Sequence, residues 1–156
     1  MSALLEVRHL TKAYDRLPVL DNLTLSVDSG RIVGVAGPNG CGKTTLFKIL
    51  AGLIGDYQGV VSIDGHLPGV YTKSVVSYLP EKTYLEEGIR AGDAIAMFAD
   101  FYTDFDRVKA KELLGRFRLE PGMKLKTMSK GMQEKLQLIL VMSRAAKLYI
   151  LDEPLS

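Results

Sequence analysis

Apolar and polar positions alternate in LLEVRHL (4–10) and again in LDNLTLSVD (20–28). That period of two predicts a pair of half-buried antiparallel strands. Ser29-Gly30 then turns into RIVGVAG (31–37), a nearly all-apolar run of the kind expected in a strand buried on both faces. From Thr44 the pattern becomes helical through TTLFKILAG, with Gly52 placed to end the helix. GVVSIDG and VVSYLPE read as two further strands, separated by the turn residues Pro68 and Gly69. Between about Glu87 and Ala146 the period is that of helices. Ala110, Leu113, Leu114 and Phe117 form one apolar stripe, with Asp106 as a cap and Pro121-Gly122 as a terminator. Met132, Leu136, Ile139, Leu140 and Ser143 form a second stripe, after which KLYILD returns to a buried strand. The pattern therefore describes an α/β core interrupted by a helical insertion. The expected divisions are 1–82 for the core, 83–145 for the insertion and 146–156 for the returning strand.

Composition narrows this little. Of 156 residues, 47% are hydrophobic and 24% charged, as in ordinary globular domains. A net charge of +2 gives no reason to expect a nucleic-acid or membrane-surface partner. The single cysteine, Cys41, excludes an internal disulfide and fits a reducing cytosol. No unbroken apolar run, Leu138 to Met142 among them, approaches the roughly 20 residues that cross a bilayer.

The chemistry is concentrated in two places. Gly37, Pro38, Asn39, Gly40, Cys41, Gly42, Lys43 and Thr44 fit G-x-x-x-x-G-K-[ST] between an expected strand and an expected helix. Phosphate oxygens need several backbone N–H groups converging on one point. Glycines permit that tight path, and the following helix aims its positive end at the same anion. Lys43 would reach the β- and γ-phosphates, and the Thr44 hydroxyl would join the coordination of Mg²⁺. Thr45, in the first helical turn, belongs to the same cradle. A chance match in a chain of this length is on the order of one per cent or less. Cys41 leaves two readings open, a reactive thiol or a small residue filling a variable position. The second place is LYILDEP, where a buried strand delivers Asp152 and Glu153 to its C-terminal edge. Asp152 would hold the metal shell, and Glu153 would act as general base on the attacking water.

Between the two lies TMSKGMQEKLQLIL. Ser129, Gly131 and Leu136 occupy the positions of Ser, the second Gly and Leu in LSGGQ-x-x-x-L, and the spacing to Asp152 also matches. The chain therefore resembles the nucleotide-binding subunit of an ABC transporter over all 156 residues. SKGM and FYTDFD are similar to stretches in the ATPases of bacterial ABC-2-type exporters.

The resemblance implies a P-loop NTPase core with N-terminal antiparallel strands and an inserted helical subdomain. It implies ATP and Mg²⁺ as cofactors, with Tyr14 stacking on adenine. Ser129 and Gly131 would bind the γ-phosphate held by the opposite subunit of a head-to-tail dimer. Glu81 stands where the family has a glutamine and would be a metal ligand. Lys130 and Met132 depart from the signature, and Lys130 reads either as a charge facing phosphate or as a solvated side chain. The implied partners are transmembrane permease subunits, not nucleic acid, with the chain on the inner face of the cell membrane. The segment 83–102 is where the family receives the permease, although most of its apolar residues read as helical core. The family pattern continues past LDEP with a D-loop opening at Leu155-Ser156, a further strand and a switch histidine; neither His9 nor His66 is placed to act as one. On that reading the chain is a fragment lacking the C-terminal part of the fold, with impaired hydrolysis. A soluble ABC ATPase of translation or DNA repair, and a nucleotide-binding module without hydrolysis, are the alternatives.

Overall fold

The computed structural model describes residues 2–153 and contains two compact units, one running to Val76 and one starting at Ser77. The first is built on a three-stranded antiparallel sheet in the order β2-β1-β3, comprising β1 (Leu5–Tyr14), β2 (Leu17–Val27) and β3 (Gln58–Ile63). The two opening strands are those the alternation predicts. Leu5, Val7 and Leu10 on β1, with Val61 and Ile63 on β3, close the buried face.

A bulge interrupts β1 between Val7 and Leu10, where His9 takes a positive φ of 51°. One extra residue in a strand moves every later side chain to the other face. Leu10 and Lys12 therefore share the buried face with Leu5 and Val7. Gly59 makes the bulge possible. Its φ is +98°, and a Cβ there would stand 2.4 Å from the His9 carbonyl oxygen.

Helix α1 (Lys43–Leu50) begins one residue before Thr44, and its chain leaves through Ala51 to Gly52 at φ +76°. Leu46, Ile49 and Leu50 bury one face of it. Pro68 and Gly69 do not form a simple turn between strands. A short helix, α2 (Val70–Val75), follows them, and the Thr72 hydroxyl accepts from the Gly69 N–H at 2.8 Å.

The expected buried strand at 31–37 is absent. Neither sheet includes that segment, and Ile32, Val33 and Val35 are all exposed. The apolar run alone predicted burial, but a strand also needs a hydrogen-bonded neighbour for its backbone. No strand among the described residues provides one to this segment.

The second unit pairs β4 (Val76–Leu79) with β5 (Leu148–Leu151) and carries α3 (Ala91–Phe101), α4 (Arg107–Arg116) and α5 (Lys130–Met142). Both predicted stripes lie inward. Ala110 and Leu114 of α4 and Leu136, Ile139 and Leu140 of α5 are buried with Ala91, Ala94, Ile95 and Phe98 of α3. Asp106 caps α4 by accepting from the Lys109 N–H at 2.9 Å. Ser77 ties β4 to the end of α5, its hydroxyl donating to the Val141 carbonyl at 2.9 Å.

Candidate nucleotide site

Residues 37–41 form an exposed loop that enters α1 through left-handed glycines, Gly40 at φ +80° and the buried Gly42 at +98°. No side chain larger than hydrogen fits at Gly42. A Cβ there would lie 2.6 Å from the Val19 carbonyl oxygen, so the loop is seated directly on β2. At Gly37 a Cβ would meet the Cys41 Sγ at 2.6 Å. The exposed Cys41 thiol thus lies against Gly37 across the turn.

The loop is closed by its own polar groups. The Cys41 N–H donates to the Pro38 carbonyl at 3.2 Å. The Lys43 ammonium donates to the Gly37 carbonyl and, at 3.3 Å, to that of Pro38. A cation therefore sits over a tight glycine turn at the positive end of a helix, and each of these features attracts an anion. The residues fit a phosphate chain. Thr44 and Thr45 are in the first turn of α1. Of the motif's strand–loop–helix context, the helix is present and the strand is not.

Tyr14 ends β1 and is 45% exposed. The Lys12 ammonium lies 4.9 Å from the centre of its ring. Lys12 was not a candidate from sequence; the bulge at His9 turns it inward.

In the second unit, Asp152 is buried, and its N–H donates to the Leu79 carbonyl at 3.0 Å. This pairing sets Asp152 beside the end of β4, two residues before Glu81. Tyr78 registers both carboxylates. Its phenol is pushed up to about 12, by burial first and then by the charges of Asp152 and Glu81. Its hydroxyl oxygen is buried, with no hydrogen-bond partner among the described residues. The two proposed metal carboxylates thus bear on one point of the unit.

Since the folded phenol holds its proton more tightly than the unfolded one, stability from neutral Tyr78 is complete below pH 10. It is lost as pH rises towards 12. An ultraviolet titration of tyrosinate should show two phenols ionising near 12, those of Tyr78 and Tyr84, of which one disappears in Tyr78→Phe.

Glu153 is exposed and has φ 47°, so the chain turns sharply just after the buried Asp152. The D-loop positions Leu155 and Ser156 lie outside the described residues. Among the described residues no three His, Cys, Asp or Glu side chains cluster as a metal site. A magnesium ion here would need phosphate oxygens to complete its shell, as is usual for that ion.

Ser129 caps α5, its hydroxyl accepting from the Met132 N–H at 3.2 Å, and a Cβ at Gly131 would meet nothing. The Gln133 amide donates to the Leu125 carbonyl at 3.0 Å and fixes the approach to that cap. Lys130 is 76% exposed and only loosely paired with Glu134 at 3.9 Å, which favours the solvated reading.

A further group was not legible in the sequence. Arg144 is buried, forks onto Asp104 at 3.1 and 3.2 Å, and stacks 3.8 Å from the centre of the Tyr102 ring. Backbone bonds from Asp106 to Ser143 (2.8 Å) and from Ala145 to Asp104 (3.1 Å) join the same segments. The start of α4 is thus fastened to the end of α5, just ahead of the strand that presents Asp152.

A family model described as ABC transporter matches residues 20–156. The chain belongs to the ABC transporter family. An uncharacterized ABC transporter ATP-binding protein of Methanocaldococcus jannaschii is 32% identical, aligned over 100% of this chain and 58% of its own length. The Bacillus subtilis protein EcsA, an ABC-type transporter ATP-binding protein, is 32% identical over 97% of this chain and 65% of its own. The SkfA peptide export ATP-binding protein SkfE of the same organism is 31% identical over 97% and 66%. A solved structure of an ATP-binding subunit of an ABC transporter superposes with a TM-score of 0.85 and 31% identity. It covers 97% of this chain and 66% of that one. The chain spans between about a third and two thirds of the length of the curated relatives it matches. The fold of this ABC chain is that of the family's nucleotide-binding subunits, α/β with antiparallel N-terminal strands. No helix among the described residues is long and apolar enough to cross a membrane.

Proposed function

We propose that this chain binds Mg-ATP as part of the ATP-binding subunit of an ABC transporter, and that hydrolysis of the nucleotide drives transport through separate membrane subunits. The observation that carries the reading is the glycine loop seated on β2, with the Lys43 ammonium over its turn. The loop and the first turn of α1, from Gly37 to Thr45, would take the phosphates, and Tyr14 the adenine. Thr44, Asp152 and Glu81 would contribute ligands to a magnesium ion, whose chemistry is to neutralise charge on the phosphates when bound. Glu153 would orient and deprotonate the attacking water. Ser129 and Gly131 would present the start of α5 to the nucleotide of a second, head-to-tail ATPase subunit. The chain would then work in the cytoplasm, peripheral to the membrane that holds the permease. Export is favoured over import by the SKGM and FYTDFD stretches alone, since the relatives include both a peptide export protein and xylose import proteins.

Affinity purification of the chain from detergent-treated cells tests the partner. A polytopic membrane protein recovered in stoichiometric amount is the expected result. Ribosomes or DNA in its place would support a soluble ABC ATPase instead.

A further inference from the structure

We propose that Lys12 is a positioning residue for the nucleotide base, holding one face of the Tyr14 ring so that the other is presented to a purine. The inference rests on the reading of Tyr14 as the base platform and goes one step behind it.

Lys12 is an unusual residue for its position. It is 7% exposed on the apolar face of β1, directly opposite Leu20 in the β1–β2 ladder. A lysine is rarely buried to that extent without a strong partner. Its ion-pair partner is Asp56, 3.2 Å away, whose side chain is fully exposed. Solvent around the fully exposed Asp56 screens this half-buried pair, which therefore contributes only modestly. What the burial does achieve is the placement of the ammonium 4.9 Å from the centre of the Tyr14 ring, within the range of a cation–π contact.

Two residues apart on one strand, Lys12 and Tyr14 share a face, so β1 itself sets their spacing. The bulge at His9 brings both to that face, and the buried stem of Lys12 anchors the cation. Tyr14, by contrast, remains 45% exposed and so keeps surface for a ligand. A cation on one side of a phenol draws π density towards itself. The opposite side then stacks better with an electron-rich purine, and the ring loses freedom that binding would otherwise have to remove.

The same hairpin carries the phosphate loop. A Cβ on Gly42 would touch the Val19 carbonyl and, at 3.0 Å, the side chain of Leu20, the ladder partner of Lys12. Base platform and phosphate cradle are therefore fixed to one another through β2. Lys12 joins them without being part of either.

Binding of Mg-ATP and of Mg-tripolyphosphate, the latter measured by competition, separates this role from its rivals. Lys12→Met is expected to weaken ATP by about 3- to 10-fold and to leave tripolyphosphate unchanged, while Lys12→Arg keeps the affinity of the parent. Added to Tyr14→Ala, Lys12→Met should cost nothing more. Lys12→Gln provides the same comparison if the methionine variant does not fold. An equal loss for ATP and tripolyphosphate, an additive double variant, or no loss of ATP affinity would each overturn the proposal for Lys12. Undiminished ATP affinity in Tyr14→Ala would instead overturn the base-platform reading on which it rests.

Discussion

Asp104→Ala is expected to lower the unfolding free energy of the second unit by about 1–3 kcal/mol, the usual cost of taking one partner from a buried charged donor, Asp104 itself being 22% exposed. Arg144 has a side chain only 3% exposed, so its charge cannot turn to water when Asp104 is removed. The loss would consume a large share of the 5–15 kcal/mol that typical domains possess. It would also reach beyond stability. The fork holds the start of α4 against the end of α5, and β5 with Asp152 begins four residues after Arg144. Denaturant unfolding followed by circular dichroism reads the effect. Arg144→Lys should cost less than Asp104→Ala but more than a surface change, because lysine keeps the charge and loses both the planar fork and the stack on Tyr102. A loss below about 1 kcal/mol for Asp104→Ala would place the pair with ordinary exposed ion pairs.

The largest effect on chemistry is expected from Glu153→Gln. A positioned general base contributes about 10²- to 10⁴-fold to rate, and the amide cannot take the proton from water. Turnover of ATP should fall by that factor while ATP affinity stays within about twofold, since the substitution removes charge without touching the phosphate loop. The geometry separates the two adjacent acids. Asp152 is buried beside Leu79, and the left-handed turn at Glu153 puts the second carboxylate in solvent, where a water molecule can reach it. Equal turnover in the parent and the variant would favour a nucleotide-binding module without hydrolysis.

Much of this was legible in the sequence because it depends on local rules. Strand alternation predicted β1 and β2, the two apolar stripes predicted the buried faces of α4 and α5, and Asp106 caps its helix as its residue type requires. The glycine loop was legible for the same reason, since its conformation is set by residues next to one another. Features that depend on distant pairing were not. RIVGVAG has the composition of a buried strand, but composition does not supply a neighbour, and Ile32 is fully exposed. Asp104 and Arg144 lie 40 positions apart and read in sequence as two unrelated surface charges. Lys12 was hidden by a single bulge. One inserted residue at His9 reversed the face of everything after it, which no periodic pattern shows until the ladder is seen.

Titration of the chain with Mg-ATP, beside Lys43→Ala as control, tests the central claim most directly. Saturable binding that weakens at least tenfold in the variant is the predicted result, that factor being about the contribution of one hydrogen bond to a charged group. Binding that is unchanged by Lys43→Ala would contradict the assignment of residues 37–44 as the phosphate site.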